Sequence, residues 1–538
     1  MNVAFDPWIP VATAAGERIL VSLRDVLTEG EKFSDLAARP HERVSLMRLF
    51  LCVAHAALDG PKNYLEWCET PKRLPDAAQD YLRKWDKEES FDLFHLKRPW
   101  LQVKDLKGID GSGKTSPVTL LDSELATGNN STLFDHQGTL TTRPVDPERL
   151  ALTLLTFQNF SPGGGAPVAQ WNSTRTKQVG NPDAPCLSQS MAHCLLRGKN
   201  LVETIHLNLP SYDNLRRVYC RYSYDKKEKK DVLAGIDMGR PVWESFPTSP
   251  DDSASVFNAT KTYLGRLIPI SRWILLLKDS DQMYCCNGFK YDTHKDGFPA
   301  EPTAAVRLIT KKNKKGGETT ERRVVSINPE KATWRELSAL LVKRAADGLG
   351  GPLAMANASS DVAHDFQVCA MTRDQASMDI GIESAFHIAP SFQLNFPMYS
   401  TEVEGAEKVS QKLRSAVETY RNFVDADWTP RVKRTQAKEQ GKLRNRLAQS
   451  ALIFYWTGVE KNLHLLTTHI EAIGTENAMP TQEKWRKMLF ITALEAYSAT
   501  CGQETLRQMR AFAKGWRRLT ATRDNEMDDA KLLKEDEG

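Results

Sequence analysis

The sequence predicts an α+β fold, in which a large irregular mixed α/β N-terminal domain precedes an all-α four-helix bundle. Before residue 400, short strand-like runs alternate with single helices and with stretches rich in Gly, Ser and Thr. After residue 400, apolar residues recur every three or four positions in four successive segments, as on the buried faces of packed helices. We therefore predict domains at residues 1–400 and 401–538, with a frayed polar tail from Arg523.

The hydrophobic pattern gives bounds for several elements of the N-terminal domain. It predicts short strands in Val3–Leu23, a buried helix in Glu42–Leu58, and a single helix, Asp146–Phe157, inside a loop-rich stretch. Three strand-like runs follow, the last two around a basic hairpin at Lys311–Arg323: Trp273–Leu277, Val306–Thr310 and Arg323–Ile327.

The four predicted bundle helices are separated by Pro430, by the stretch from Gly474 to Pro480, and by Gly502. Their apolar residues are Val409, Leu413, Ala416, Val417, Tyr420 and Phe423, then Leu443, Leu447, Ala451 and Tyr455, then Trp485, Leu489, Ile491 and Leu494, then Leu506, Met509 and Phe512.

The composition is that of a globular protein, with 41% apolar and 26% charged residues among 538. No apolar run approaches the roughly 20 residues that a membrane helix needs, and the N-terminus has no signal-peptide pattern. The nine scattered cysteines do not form the dense, even set of a secreted scaffold, so we expect a reducing cytoplasm. The net charge of +4 neither requires nor excludes a nucleic-acid partner.

One segment, Gly108–Thr115, matches the phosphate-binding P-loop pattern, with Lys114 at the position that contacts phosphates. A true P-loop follows a buried parallel strand that is almost continuously apolar, whereas residues 102–107 are mostly polar and charged. A P-loop ATPase or GTPase is the alternative function, and a flexible polar loop is the favoured interpretation.

Other segments lack a catalytic or metal-binding constellation. Cys285 and Cys286 are adjacent without a CxxC pair, and His364-Asp365 is a lone dipeptide, so neither supplies the ligand set of a metal site. We therefore expect no catalytic residue, no metal and no cofactor, which favours a binding or scaffolding role over an enzyme.

Three features are compatible with nucleic-acid binding. The loop Gly163–Gly165 can bring its backbone close to a ligand, with a plain connector as the alternative. Lys311 and Lys312 can contact phosphates or base edges, or can simply solvate a hairpin tip. A basic run that opens the second bundle helix can follow phosphates or be a solvated face: Arg431, Lys433, Arg434, Lys438, Lys442, Arg444 and Arg446, with Lys514, Arg517 and Arg518.

A set of motifs resembles, in the same order along nearly the whole chain, the large subunit of the type I-E CRISPR surveillance complex Cascade, the CasA family. Asp6–Val11 resembles the opening Asp-x-Trp-Ile-Pro-Val of that family, and Arg373–Ser377 resembles its Asn-Gln-Ala-Ser segment. The remaining motifs are Arg98–Gln102, Asn129–Phe134, Phe160–Gly165 and Thr310–Lys312. A four-helix bundle follows in the family as well.

The resemblance implies a non-catalytic subunit that binds double-stranded DNA, inspects the protospacer-adjacent motif (PAM) and helps the guide RNA to invade the duplex. Its partners would be the crRNA-bearing backbone, small and guide-5′-end subunits, the DNA target, and a recruited helicase–nuclease. By matching position, Gly163, Gly164 and Gly165 would lie in the PAM minor groove, and Lys311 or Lys312 would be a lysine finger.

The remaining residue roles also come from the resemblance. Gln375 would be the wedge that splits the first base pair beyond the PAM, supported by Ala376 and Ser377, and Asn130 and Phe134 would lie near the 5′ end of the guide. This chain has Asp374 where the family has Asn. A carboxylate lacks the amide donors and repels phosphates, so we expect a different PAM preference. The family sometimes carries a central cysteine cluster that this chain lacks, which again implies no zinc.

Overall fold

The computed structural model describes residues 1–108, 115–123, 125, 144–172, 174–176, 180, 182–216, 220–225, 230–236, 238–291, 300–312, 317–329, 331–345, 348–359, 361–374, 377–390, 395–425 and 434–521. For residues 220–225, 230–236, 312, 373–374, 377–380 and 434–440 the backbone alone is described. The chain divides into two compact units, Met1–Ile388 and Ala389–Gly538.

The first unit mixes short helices with small antiparallel sheets. Its described helices are α1 (Leu23–Glu29), α2 (Pro40–Leu58), α3 (Tyr64–Lys87), α4 (Pro147–Phe160), α5 (Leu201–Asn208), α6 (Tyr212–Leu215), α7 (Ser253–Lys261), α8 (Tyr263–Leu267) and α9 (Leu337–Leu340). The two helices predicted before residue 160 correspond to α2 and α4. The predicted opening strands are also found, at Ile9–Thr13 and Arg18–Val21.

The described strands are β1 (Ile9–Thr13), β2 (Arg18–Val21), β3 (Phe33–Leu36), β4 (Lys107–Gly108), β5 (Ser116–Pro117), β6 (Ala169–Trp171), β7 (Thr174–Arg175), β8 (His193–Arg197), β9 (Cys220–Asp225), β10 (Lys230–Ile236), β11 (Arg272–Leu276), β12 (Gln282–Asn287), β13 (Val306–Lys312), β14 (Glu318–Val324), β15 (His364–Asp374) and β16 (Ser377–Ile388). They form three-stranded sheets in the orders β2-β1-β3, β11-β12-β5, β16-β15-β8 and β4-β6-β7, and the hairpins β9–β10 and β13–β14.

A continuous apolar core underlies the first unit and includes the opening motif. Trp8 is 1% exposed and meets Trp100 edge to face, with the ring centres 5.8 Å apart. Its indole N–H donates to the carbonyl of Val3 at 2.7 Å, so this buried polar atom is satisfied. The motif residues Trp8 and Ile9 therefore have a structural role in the core.

The hairpin that carries Lys311 and Lys312, here called the lysine hairpin, has a longer first strand and an earlier second strand than predicted. The first strand, β13, continues through Lys312, and the second, β14, begins at Glu318 and ends before Ile327. The ladder is regular over seven residue pairs, from Val306–Val324 to Lys312–Glu318. Pairing between the two strands therefore continues into the polar residues Lys311 and Lys312. The pattern of hydrophobic residues alone assigns these two lysines to the hairpin tip.

The second unit consists of helices. Its described helices are α10 (Phe396–Asp425), α11 (Arg434–Lys461), α12 (Leu463–Ala472), α13 (Ala478–Thr500) and α14 (Leu506–Thr520). The short helix α12 is additional to the four that the sequence predicts. Asn462 separates it from α11, because its backbone is non-helical and its amide donates to the carbonyl of Gly458 at 2.9 Å. The two units together confirm the α+β class.

Buried aromatic residues hold the bundle together. Tyr455 and Tyr497 are each 0% exposed, and their hydroxyls donate to the carbonyls of Ala406 and Phe512, both at 3.0 Å. A Cβ on Gly515 of α14 would lie 2.0 Å from the Tyr497 hydroxyl, so glycine permits this close helix approach. Among the described residues, no helix is long and apolar enough to cross a membrane.

Candidate nucleic-acid interface

The glycine loop, residues 161–165, follows directly on α4 and is fixed at its entry. The amide of Gly163 donates to Asp183 Oδ1 at 2.7 Å. The guanidinium of Arg272, which is 5% exposed, donates to the carbonyl of Pro162. Hydrogen bonds in which one partner is ionised are stronger than those between neutral groups, so these two contacts hold the start of the loop in a defined position.

The tip of the loop is open. Gly163 is buried, whereas Gly164 and Gly165 are exposed. Gly164 has a φ of +130°, which residues with a side chain rarely adopt, and a Cβ at this position would meet no atom within 4 Å. Glycine at 164 is therefore required by its backbone conformation and not by packing, and the exposed backbone can approach a partner closely.

A connecting segment, residues 182–197, joins the glycine loop to two hairpins. Near its start, the amide of Ala184 donates to the carbonyl of Ser161 at 2.9 Å. Farther along, the amide of Ala192 donates to the carbonyl of Val325 at 2.9 Å, at the foot of β14. The segment ends in β8, which pairs with β15. One stretch of chain thus holds the bases of three elements that are far apart in sequence.

A buried polar chain supports the connecting segment from the core. Arg48 of α2 pairs with Glu301, and both side chains are at most 2% exposed. The hydroxyl of Thr303 lies 2.9 Å from Glu301 Oε1 and 2.8 Å from His193 Nδ1. On its other side, His193 Nε2 lies 2.9 Å from the carbonyl of Cys186. This series of contacts thus runs from α2 to two points of the connecting segment, His193 and Cys186.

The charge states of this chain follow from burial and pairing. Burial lowers the pKa of His193, although the negative charge of Glu301 acts in the opposite direction. Its Nε2 carries a proton, because the Cys186 carbonyl can only accept. Burial raises the pKa of Glu301, but the Arg48 guanidinium, His193 and the hydrogen bond from Thr303 together outweigh this and hold the pKa below its ordinary value.

Lys311 lies within β13 and pairs with Thr319 of β14, so it belongs to the ladder and not to the expected hairpin tip. Its Nζ is 2.5 Å from Glu321 Oε1, and the same oxygen is 2.7 Å from Arg323 Nε. The Lys311 side chain is 48% exposed. The side chain of Lys312 lies outside the description. Interaction with the Lys311 ammonium and the Arg323 guanidinium lowers the pKa of Glu321, so this carboxyl is ionised near pH 7.

The predicted wedge belongs to the hairpin of β15 and β16. The ladder of this hairpin closes with the pair Asp374–Ser377. Gln375 and Ala376 stand between these two residues in the chain and lie outside the described residues, as do the side chains of Asp374 and Ser377. The long paired strands connect this end of the hairpin to β8 and hence to the connecting segment.

The basic residues predicted on the second bundle helix lie in α11. Lys442 and Arg446 are exposed. Arg444 is half-buried and donates to Asn422 Oδ1 of α10 at 3.2 Å, so part of its function is packing between helices. The side chain of Lys438 lies outside the description.

The flanks of the P-loop match have neither element that a P-loop needs. Before it, β4 pairs antiparallel with β6 over two residues. After it, β5 leads into a 3-10 turn at Val118–Leu121, not into an α-helix. Lys114 lies outside the described residues, and so do the guide-loop residues Asn130 and Phe134. The fold around the motif therefore does not support a nucleotide site.

The two adjacent cysteines occupy the core. Both side chains are buried in β12, and burial raises the pKa of Cys285 to about 11 and that of Cys286 further above its usual value. In the part of the chain that the structure describes, no three His, Cys, Asp or Glu residues form a group suited to a metal ion.

Sequence reasoning missed the residues that hold the binding elements in place. The side chains of Asp183 and Arg272 contact backbone atoms of the glycine loop, and backbone atoms are the same for every residue type, so the sequence does not reveal these contacts. His193 resembles any other buried histidine until its partners are known. Glu321 could have been found, because a regular ladder with Lys312 opposite Glu318 places residue 321 diagonal to Lys311 on the same face.

Comparison with known proteins gives consistent matches over the whole chain. The family model for CRISPR-associated protein Cse1 matches residues 2–496. CRISPR-associated protein CasA/Cse1 of Thermus thermophilus is 27% identical over 558 residues, covering 99% of this chain and 97% of that protein. The crystal structure of Thermobifida fusca Cse1 has a TM-score of 0.71 at 19% identity, covering 96% of this chain and 97% of that one.

A further solved structure with this fold is a chain of a CRISPR RNA-guided surveillance complex, with a TM-score of 0.68 and 18% identity, covering 97% of this chain and 99% of that one. The family model alone spans most of the sequence. The chain therefore belongs to the Cse1 family of CRISPR-associated proteins, the CasA large-subunit family of type I-E Cascade that its motifs resemble.

Proposed function

We propose that this chain is the DNA-inspecting subunit of an RNA-guided Cascade complex, and that it acts by binding and not by catalysis. The observation that carries the proposal is the connecting segment, residues 182–197, to which the bases of the glycine loop, the lysine hairpin and the β15–β16 hairpin are all hydrogen-bonded. A shared base lets the three elements act on one short stretch of duplex.

The glycine loop is suited to a narrow groove. The minor groove of B-DNA is about 6 Å wide and offers a degenerate set of acceptors plus the guanine amine. The exposed backbone at Gly164 and Gly165 can lie close to the groove floor, where a Cβ would clash. Such contacts distinguish base pairs only loosely, which fits a PAM reader that accepts several sequences while base pairing with the guide reads the target.

The two hairpins supply the other contacts. Lys311, with Lys312 next to it, offers a long cation to acceptors on base edges or to phosphates. Gln375, with Ala376 and Ser377, acts as the wedge beside the PAM. Unstacking one base step costs a few kcal/mol, and an inserted side chain offsets part of that cost. Asp374 places a carboxylate next to the wedge and shifts PAM preference relative to relatives with Asn.

The proposed partners of this chain are the other components of a Cascade complex and its DNA target. A chain of similar fold is part of a CRISPR RNA-guided surveillance complex, which supports assembly of this chain with crRNA-bearing backbone, small and guide-5′-end subunits. Asn130 and Phe134 then lie on the loop near the 5′ end of the guide. The basic face of α11, residues Lys438, Lys442, Arg444 and Arg446, contacts DNA phosphates, and the complex recruits the helicase–nuclease after the duplex opens.

The direct test is reconstitution of the guide-loaded complex with and without this chain. Binding is measured to duplexes that carry one matched target beside a randomised flanking sequence. We expect a subset of flanks to be captured only when the chain is present. If the complex without the chain selects the same flanks with the same affinity, the proposed function is wrong.

A further inference from the structure

The carboxylate of Glu321 forms an ion pair with Lys311, the lysine proposed to contact DNA. Glu321 Oε1 is 2.5 Å from Lys311 Nζ and 2.7 Å from Arg323 Nε. The regular register places all three side chains on one face of the β13–β14 hairpin, with Ile309 opposite Glu321 and Lys311 opposite Thr319. One negative charge thus neutralises part of a two-cation patch.

The pair is exposed, so it can be opened. The side chains of Lys311, Arg323 and Glu321 are 48%, 42% and 36% exposed. Exposed ion pairs are weak, and a phosphate or base acceptor can replace the carboxylate as the partner of a cation. A DNA phosphate that takes Glu321's place at Lys311 or Arg323 therefore has to displace the carboxylate, at the cost of that ion pair.

We infer that Glu321 is a specificity-determining residue, which lowers the sequence-independent affinity of the hairpin for DNA. The inference rests on the proposed function. Non-specific binding is a phosphate interaction that uses every available cation, so it must break both ion pairs. Engagement of the PAM by a single lysine finger breaks the Lys311 pair alone and leaves Arg323 on Glu321. The carboxylate therefore penalises non-specific binding more than specific binding.

The test is Glu321→Gln in the assembled complex, which removes the charge and keeps the shape. For a PAM-bearing duplex we expect about two- to fivefold tighter binding, the size of one exposed ion pair. For a duplex without the PAM we expect a larger gain, so that the ratio of the two affinities falls.

A matched control is Glu69→Gln, which makes the same charge change at another exposed lysine–glutamate ion pair, Glu69–Lys72 of α3. It should leave both affinities and their ratio unchanged. If Glu69→Gln and Glu321→Gln act equally, or if Glu321→Gln leaves the affinity ratio unchanged, the inference is overturned.

Lys311→Ala separates this inference from the proposed function on which it rests. If Lys311→Ala leaves PAM-duplex affinity unchanged, Lys311 is not the finger and the inference fails; Lys312→Ala then decides whether the proposed role of the hairpin fails as well. If Lys311→Ala weakens binding, the double variant with Glu321→Gln decides the rest. We expect the gain of Glu321→Gln on the PAM duplex to vanish when Lys311 is absent. A full gain in the double variant contradicts the pairing account.

Discussion

The glycine loop of the first unit and the basic face of α11 are both proposed to contact DNA, but they are built differently. The loop is fixed at its entry by Asp183 and Arg272, and it exposes a left-handed glycine at 164. The basic face presents long cations such as Lys442 and Arg446 on a helix surface. Reading the shape of a groove requires backbone positioned by distant residues, whereas attracting phosphates requires only charge on a stable helix.

The largest effect is expected at the tip of the glycine loop. Gly164→Asp imposes a side chain on a φ of +130° and adds a carboxylate among phosphates and base acceptors. The strain of about 1–3 kcal/mol disturbs the loop conformation, and the new Cβ and carboxylate meet the groove directly, so we expect at least a tenfold loss of PAM-dependent capture, measured by duplex binding to the complex.

Gly16→Asp is the matched control, since Gly16 also has a positive φ, +82°, with open space around it, and lies in the turn between β1 and β2. It should leave capture unchanged, and Gly164→Ala should fall between the two. Equal losses for Gly164→Asp and Gly16→Asp would remove the reason to assign the loop to the groove.

A smaller effect is expected at the base of the same loop. Arg272→Met removes the donor to the half-buried carbonyl of Pro162, and a polar atom left unpaired when fully buried costs about 1–3 kcal/mol, so the cost here lies toward the lower end. We expect a several-fold loss of PAM-dependent capture together with a lower melting temperature.

Val26→Ala is the control for stability, because Val26 is 0% exposed and lies in α1. It lowers the melting temperature through a core cavity and should leave capture intact. If both variants reduce capture in proportion to their melting temperatures, Arg272 acts on global stability and not on the loop.

The basic face should show a modest effect that does not depend on sequence. Reversing Lys438, Lys442, Arg444 and Arg446 to Glu should weaken binding about equally for any flanking sequence. Each lost phosphate contact flattens the salt dependence by roughly 0.9 on a log–log plot. Reversal of Lys484 and Lys487, which are exposed on α13, is the control. Unchanged affinity and slope in the fourfold variant would make the α11 face ordinary solvated surface.

The smallest effect is expected at the P-loop match. Lys114→Ala should leave duplex binding unchanged, because the strand and helix that a P-loop requires are absent from the described flanks. Equilibrium binding of Mg²⁺–ATP to the normal chain and to the variant provides the check. A measurable ATP affinity that the variant loses would restore the nucleotide-binding alternative.

The same contrast between local charge and long-range contacts explains which elements of the fold could be predicted from the sequence. Periodicity predicted α2 and the bundle helices, because burial of one face sets the spacing of apolar residues such as Leu413 and Leu489. It missed α12, because one asparagine, Asn462, changes the backbone without disturbing the apolar pattern. Local signals also placed Lys311 in a hairpin tip, since strand pairing depends on a partner that hydrophobicity does not reveal.

The candidate site was only partly accessible from the sequence for the same reason. The glycines and lysines stand out in composition, but the residues that position them do not. Asp183 accepts from the backbone amide of Gly163, and Arg272 donates to the backbone carbonyl of Pro162, so neither partner can be recognised from the sequence of the loop. Contacts of this kind join residues distant in the chain, and only the folded structure brings them together.

The central claim is that the glycine loop reads the groove while Gln375 separates the strands. The measurement that tests it most directly compares the rates of duplex capture and opening for Gly164→Asp and Gln375→Ala. Each variant is tested on an intact target and on one pre-melted beside the PAM. We expect pre-melting to rescue Gln375→Ala, whose defect is in opening, and not Gly164→Asp, whose defect is in capture. Rescue of both variants to the same degree, or of neither, would contradict the division of roles.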